Sequence, residues 1–344
     1  MSQPLTERER TLADRVAELE RELAALRGDD AAPADVEHNL EGNDDFTVRW
    51  QWDHDGTAEA GFTAVVRVKN EAGPLPWVLP PLLRAVRRVV VVDNGSTDGT
   101  PDVARATAAA SGSAERLDVV EYPFSVSRCG PEHLHTPPDS VHSLTYFYNW
   151  SFAHVRTRYA LKWDGDMVLT DSGVEALRDL EWQLETTHRV ITMMRYPLYV
   201  ADDSTAFLDV SVHNRESWGW PNTPGYRHTK AFEWELPRWG DRPTMLSLPD
   251  WSCVELKHLD ADEFAHWSVE DFTVSGRTTR KQREWQVFQS LAEGSDPPYG
   301  VVRIDAPVGQ HVIDHVRTTY LPDNSDELAK LHRKVVLSLA IRPR

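Results

Sequence analysis

The 344-residue chain carries 54 Asp and Glu against 37 Lys and Arg, a net charge of −17. A surface this acidic repels nucleic-acid phosphates and anionic lipid headgroups. Forty per cent hydrophobic content with 13 Trp excludes a disordered chain, and two cysteines, Cys129 and Cys253, exclude a disulfide framework or a Cys-rich zinc module.

No apolar run is long enough for a transmembrane helix, and the charged first residues do not read as a secretory signal. The expected location is therefore the cytoplasm. The charge is uneven. Residues 1–27 carry −1, residues 28–60 carry −9 with Arg49 as their one base, and the remainder carries −7.

Leu5, Leu12, Val16, Leu19, Leu23 and Leu26 keep heptad spacing, with Arg15 and Glu22 at g and Glu20 and Arg27 at the following e. This pattern predicts a coiled-coil helix over 1–27 and a homo-oligomer through residues 5–26. An amphipathic helix packed on its own domain is the alternative. Residues 28–60 read as an acidic linker with local structure around Phe46 to Trp52.

From Gly61 strands and helices alternate. Strands are expected at Thr63–Val68, Val89–Val92, Leu117–Glu121 and Tyr159–Trp163, and helices at Leu75–Val86, from Pro101 to about Ala110, and from Leu144 to about Val155. Short, almost continuously apolar strands between helices predict a mostly parallel sheet covered on both faces, an α/β fold. A helix at 172–184 and a single strand-like run at Arg189–Val200 follow. Residues 213–285 then hold seven of the 13 Trp, and a terminal helix is expected over about 326–339.

In such a sheet ligands bind beyond the carboxyl ends of the strands. Asn70 and Glu71, then Asp93, then Asp164 and Asp166 each close one strand, which makes them candidates for one site. GxGxxG, GxxxxGK[ST] and GxSxG are all missing, which argues against a nicotinamide dehydrogenase, a P-loop kinase and an α/β-hydrolase. Asp-x-Asp also occurs at 53/55 and 260/262, but only Asp164-Gly165-Asp166 follows an apolar strand. Two carboxylates there suit a hard divalent cation, Mg²⁺ or Mn²⁺, able to bridge a diphosphate.

Taken together, VRVKNE at 66–71, VVVDNGSTDGT at 90–100, Asn149 on its helix and Asp164-Gly165-Asp166 fifteen residues later resemble family 2 glycosyltransferases of the GT-A, or nucleotide-diphospho-sugar transferase, fold. The resemblance covers 61 to about 180. It implies a GT-A domain over 61–300, divided into a nucleotide-sugar half (61–170) and an acceptor half (171–300), with 301–344 as a C-terminal extension. It implies an inverting, metal-dependent transfer of a sugar from a nucleotide-diphosphate donor to an acceptor hydroxyl, carbohydrate or other. Asp93 and Glu71 would lie at the nucleoside, with Asn70 and Asn149 beside the donor. Asp164 would contact ribose or cation, and Asp166 would ligate the cation. Two positions depart from the family pattern: Tyr148 stands where an Arg often precedes the helix Asn, and Arg67 replaces a Pro and could itself face the phosphates.

An inverting reaction needs a carboxylate base for the acceptor. Asp271, with Glu270 beside it, is the first candidate, and Asp262 and Glu255 are rivals. His258 is a candidate further metal ligand. Trp218, Trp220, Trp234 and Trp239 are candidates for stacking on acceptor sugars. Two other readings compete: a haloacid-dehalogenase-type phosphatase using Asp164 and Asp166, and a non-catalytic binding module on the same fold.

Overall fold

The computed structural model describes residues 35–184, 189–212, 215–232, 234–238, 243–259 and 277–341. The heptad segment and the self-association expected of it lie outside these residues. Two short strands, β1 (Val36–Glu37) and β2 (Val48–Arg49), pair antiparallel ahead of the main sheet. β3 (Glu59–Val68), α1 (Leu75–Ala85), β4 (Arg88–Asp93), α2 (Thr100–Ala110) and β5 (Leu117–Glu121) then alternate as expected. α3 (Leu144–Phe152) leads to β6 (Thr157–Asp164) and β7 (Met167–Leu169), and α4 (Asp171–Gln183) leads to β8 (Arg189–Met193).

The remainder is richer in strands. β9 (Tyr196–Val200), β10 (Thr205–Asp209), β11 (Glu216–Pro221), β12 (Arg227–Ala231) and β13 (Trp234–Arg238) come first. β14 (Thr244–Ser247), β15 (Cys253–His258), α5 (Arg277–Ala292), β16 (Val301–Asp305) and α6 (Leu321–Ile341) follow.

Seven strands form the main sheet in the order β14-β8-β11-β6-β3-β4-β5. β6, β3, β4 and β5 are mutually parallel, and β11 is the antiparallel insert between β6 and β8. The fold is thus α/β with a mostly parallel sheet. Alternation along the strands divides its two faces. Ala64, Val66, Val91, Leu161 and Trp163 pack with Leu79 of α1, Ala104 of α2 and Leu177 of α4. Val65, Val90, Val92 and Ala160 face the aromatic helix α3, through Tyr146, Phe147, Trp150 and Phe152.

That aromatic helix explains one correction. The described part of the supposed acidic linker, 35–60, is not a solvated tether. Val48, Trp50 and Trp52 are buried in the core beneath α3, and the Tyr146 hydroxyl lies 3.0 Å from the Glu37 and Phe46 carbonyls and accepts from Val48 N. Phe46, Val48, Trp50 and Trp52 alternate along the chain, and their apolar side chains cover rings that would otherwise meet water.

A second sheet has the order β16-β10-β9-β15-β7. The run 189–200 is therefore two strands, broken at Met194–Arg195: β8 stays in the first sheet and β9 enters the second. Residues 301–344 are likewise no appendage in their described part. β16 pairs with β10, and Leu328 and Val335 of α6 are buried in the main core. α6 begins at Leu321, earlier than 326, and continues directly from a helical turn at Val312–His315 and a π-helical turn at Val316–Tyr320.

Candidate active site

Two acidic turns lie at the carboxyl edge of the parallel strands. The register pairs Asp93 with Val68, and Arg67 with Asp164. β3 therefore separates the two turns by two strand spacings, roughly 10 Å.

The turn after β4 is held by its own neighbourhood. Asp93 is buried, and its Oδ2 accepts from Ser96 N at 3.1 Å. Asn70, left-handed at φ 58°, donates its backbone N–H to Ser96 Oγ and accepts from Thr97 N on Oδ1, both at 2.8 Å. Asp98 accepts from Ala72 N, and Glu71 N donates to Thr100 Oγ1. Gly95 and Gly99, at φ 70° and 85°, supply the backbone that this turn requires. One oxygen remains over: Asp93 Oδ1 is buried and has no hydrogen-bond partner among the described residues.

The turn after β6 is held by distant residues. Asp164 Oδ1 accepts from Arg67 at 2.7 Å, and Arg195 stands 3.5 Å from Oδ2. Lys257 Nζ lies 3.3 Å from Asp166 Oδ2 and 3.1 Å from Glu255 Oε1, and Arg195 reaches Glu255 at 2.9 Å. Gly165 is needed for close approach and not for a left-handed backbone, since a Cβ there would sit 2.9 Å from Glu71 Cγ. Glu71 thus abuts this turn.

Two aromatic rings extend the network. The Arg67 guanidinium lies 3.7 Å from the centre of the Tyr148 ring. Lys162 Nζ sits between Tyr148 and Trp218, at 5.6 and 5.0 Å, and Arg195 lies 5.3 Å from the same Trp218 ring. Such cation–ring contacts favour a desolvated cation. Burial favours protonation of Asp164, but Arg67, Lys162 and Arg195 outweigh it and hold its carboxyl below the usual range. Glu255 is depressed in the same way: burial is overcome by Arg195 and Lys257. Burial raises Asp166 to about 7 against the pull of Lys257, with Glu255 and Asp164 adding to the rise.

The candidates from sequence therefore separate. Arg67, Glu71, Asp164 and Asp166 meet at one turn, and Asp93 and Asn70 form the other. Asn149 joins neither turn, and both ends of its amide are engaged. Its amide donates to the His228 carbonyl at 3.1 Å and accepts from His228 N at 2.9 Å, so it pins β12 to α3. His258 is not a partner of Asp166. Glu255 and Lys257 point to the acidic turn, and alternation places His258 on the opposite face with Val254 and Leu256. Trp218 and Trp220 are buried and offer no stacking surface, whereas Trp234 is half-buried in the β12–β13 hairpin. Glu270, Asp271, Asp262 and Trp239 lie outside the described residues.

Lys162, Arg195 and Lys257 were not singled out from sequence as site residues. Each is a cation inside an apolar strand or beside one, and a buried charge demands a partner. That demand is the signal that could have found them.

Asp164 and Asp166 are the residues that would hold a divalent cation, with oxygen ligands at about 2.0–2.2 Å. Here their charge is already met by Arg67, Arg195 and Lys257. Among the described residues no three of His, Cys, Asp and Glu come together as a metal-holding group. The described residues do not fit a divalent cation at this turn.

No protein-family model and no curated protein matches the sequence. Among solved structures the chain is similar to the mannosyltransferase PcManGT from Pyrobaculum calidifontis in complex with GDP-Man and Mn²⁺, at 16% identity and TM-score 0.36, over 85% of this chain and 79% of that one. It is also similar to glucosyl-3-phosphoglycerate synthase from Mycobacterium tuberculosis in complex with Mn²⁺, uridine-diphosphate and phosphoglyceric acid, at 11% identity and TM-score 0.32, over 83% of this chain and 100% of that one. S. aureus TarS 1–349 matches at 17% identity and TM-score 0.29 over 40% of this chain, and the match spans only 36% of TarS 1–349. With TM-scores this low, the weight falls on the residues of the site itself.

Proposed function

We propose that this chain transfers a sugar from a nucleotide-diphosphate donor to an acceptor hydroxyl, on the GT-A fold that its sequence resembles. The observation that carries the reading is Asp93 Oδ1, a buried acceptor at the carboxyl edge of a parallel sheet with no donor among the described residues. Leaving such an atom unpaired costs about 1–3 kcal/mol. A base N–H or a ribose hydroxyl of a nucleoside supplies the missing donor, with Glu71 beside it.

The Arg67, Lys162 and Arg195 cluster then lies toward the donor's diphosphate. In the reaction the acceptor oxygen bonds to the anomeric carbon as the bond from that carbon to the phosphate oxygen breaks. The electron pair stays on the diphosphate, where fixed cations stabilise it. The acceptor proton passes to a carboxylate, for which Asp271 is proposed with Glu270 adjacent; attack from the face opposite the leaving group inverts configuration. Trp234 is the proposed ring for an acceptor sugar. The phosphatase alternative is disfavoured because it needs Asp164 as a free nucleophile, whereas Arg67 engages one oxygen and Arg195 stands by the other.

A panel of nucleotide-diphosphate sugars, scored by thermal stabilisation and by release of nucleoside diphosphate, tests this reading. Asp93→Asn is expected to keep the fold and lower nucleotide affinity about 10- to 100-fold, as loss of a charged hydrogen bond predicts. No stabilisation by any member of the panel would sink the proposal, and stabilisation without product release would favour the non-catalytic binding module.

A further inference from the structure

The acidic turn after β6 is ringed by four largely buried basic side chains. Arg67, Lys162, Arg195 and Lys257 form one contiguous group around Asp164, Asp166 and Glu255, with Glu216 a further carboxylate 3.6 Å from Arg195. The Arg67 and Arg195 side chains are only 10% and 11% exposed, and the Nε of each is buried without a hydrogen-bond partner among the described residues. Lys162 makes no ion pair or hydrogen bond among the described residues and rests on two aromatic rings. These are donors waiting for an acceptor. A free divalent cation would have to displace Lys257 from Asp166 and an arginine from Asp164.

Resting on the sugar-transfer reading above, we infer that the donor's diphosphate is bound by these resident cations, with Lys257 standing in the place of a divalent metal, so that donor binding needs none. Arg67 and Lys162 approach the diphosphate from β3 and β6, Lys257 from β15 of the second sheet, and Arg195 from the crossing between the two sheets. The ring of Tyr148 backs Arg67, which thereby supplies from a strand the guanidinium that the resembling family often carries on the helix.

Calorimetric titration of the full chain with UDP, GDP, ADP, CDP and dTDP, in EDTA and in Mn²⁺, tests this. The expected result is an affinity that agrees within about twofold between the two buffers for whichever diphosphate binds. Lys257→Met should weaken that diphosphate about tenfold or more in EDTA while leaving the matching free nucleoside unchanged. If Lys257→Met does not fold, Lys162→Met is expected to give the same split between diphosphate and nucleoside. The paramagnetic resonance signal of free Mn²⁺ should be unchanged by the wild-type protein, with or without nucleotide. Binding seen only with Mn²⁺, or saturable uptake of Mn²⁺ with the nucleotide, would overturn the inference and leave sugar transfer standing. Failure of every diphosphate in both buffers would overturn sugar transfer, and the inference with it.

Discussion

The two acidic turns at the sheet edge are built on opposite plans. After β4, carboxylate and amide oxygens are met by backbone N–H groups and hydroxyls from two short segments, 70–72 and 93–100. After β6, the carboxylates are met by guanidinium and ammonium groups that lie 97, 31 and 91 residues away in the chain. A turn closed within one strand–helix–strand unit needs only β3 and β4 to be paired. The turn after β6 takes Arg67 from the adjacent β3, but its contact with Lys257 exists only when the two sheets have docked. The first can therefore serve as a rigid socket, and the second joins the two sheets electrostatically.

The largest expected effect falls on the remote plan. Glu255 is nearly fully buried between Arg195 and Lys257, so Glu255→Gln strands two cations and should cost about 3–5 kcal/mol in urea denaturation. A double variant with Lys257→Met should recover part of that loss. A cost below about 1 kcal/mol would place this pair among screened surface contacts and break the comparison.

The local plan should be more forgiving. Asn70→Ala removes one side-chain acceptor and puts a Cβ-bearing residue without local hydrogen bonds at φ 58°. The expected loss is about 1–3 kcal/mol, without effect on the β6 turn. Unchanged stability would mean that the hydrogen bonds of this turn are dispensable.

The smallest effect is one of pH. Burial, helped by Lys162 and Arg67, keeps the His228 imidazole well below its usual pKa, so it stays neutral in the folded protein. In the unfolded chain the same group takes a proton below about pH 6.5. Stability should accordingly fall as pH falls, with a slope approaching about 1.4 kcal/mol per pH unit from this residue. His228→Phe keeps a ring against Phe152 and Trp220 and should flatten that slope in thermal melts at pH 7.5 and 5.5. An unaltered slope would assign the effect to His133 and His154, which burial also depresses.

This contrast also explains what was legible in the sequence. The parallel strands announce themselves as apolar runs, and the Asp93–Thr100 turn as Asp, Asn, Gly, Ser and Thr in close succession, because part of what fixes that turn, Ser96 on Asp93 and Thr100 on Asp98, lies two or three positions away. Arg195 and Lys257 carry no such signature. Their meaning depends on β15 lying between β7 and β9, which no local pattern states. The alternation Val254-Glu255-Leu256-Lys257 was visible, but it could equally have been a strand with one wet face. The same limit hid the packing of 46–52: the acidity of the segment masked an aromatic alternation whose cover, α3, comes about a hundred residues later.

The break between β8 and β9 has a mechanical side. The chain passes from one sheet to the other at Met194–Arg195, and the side chain at that crossing grips Asp164 on β6 and Glu255 on β15 at once. The two sheets cannot slide or tilt against each other without dragging that guanidinium along. Displacement on the second sheet is thereby geared to the charge beside the first, as a crank turns a shaft.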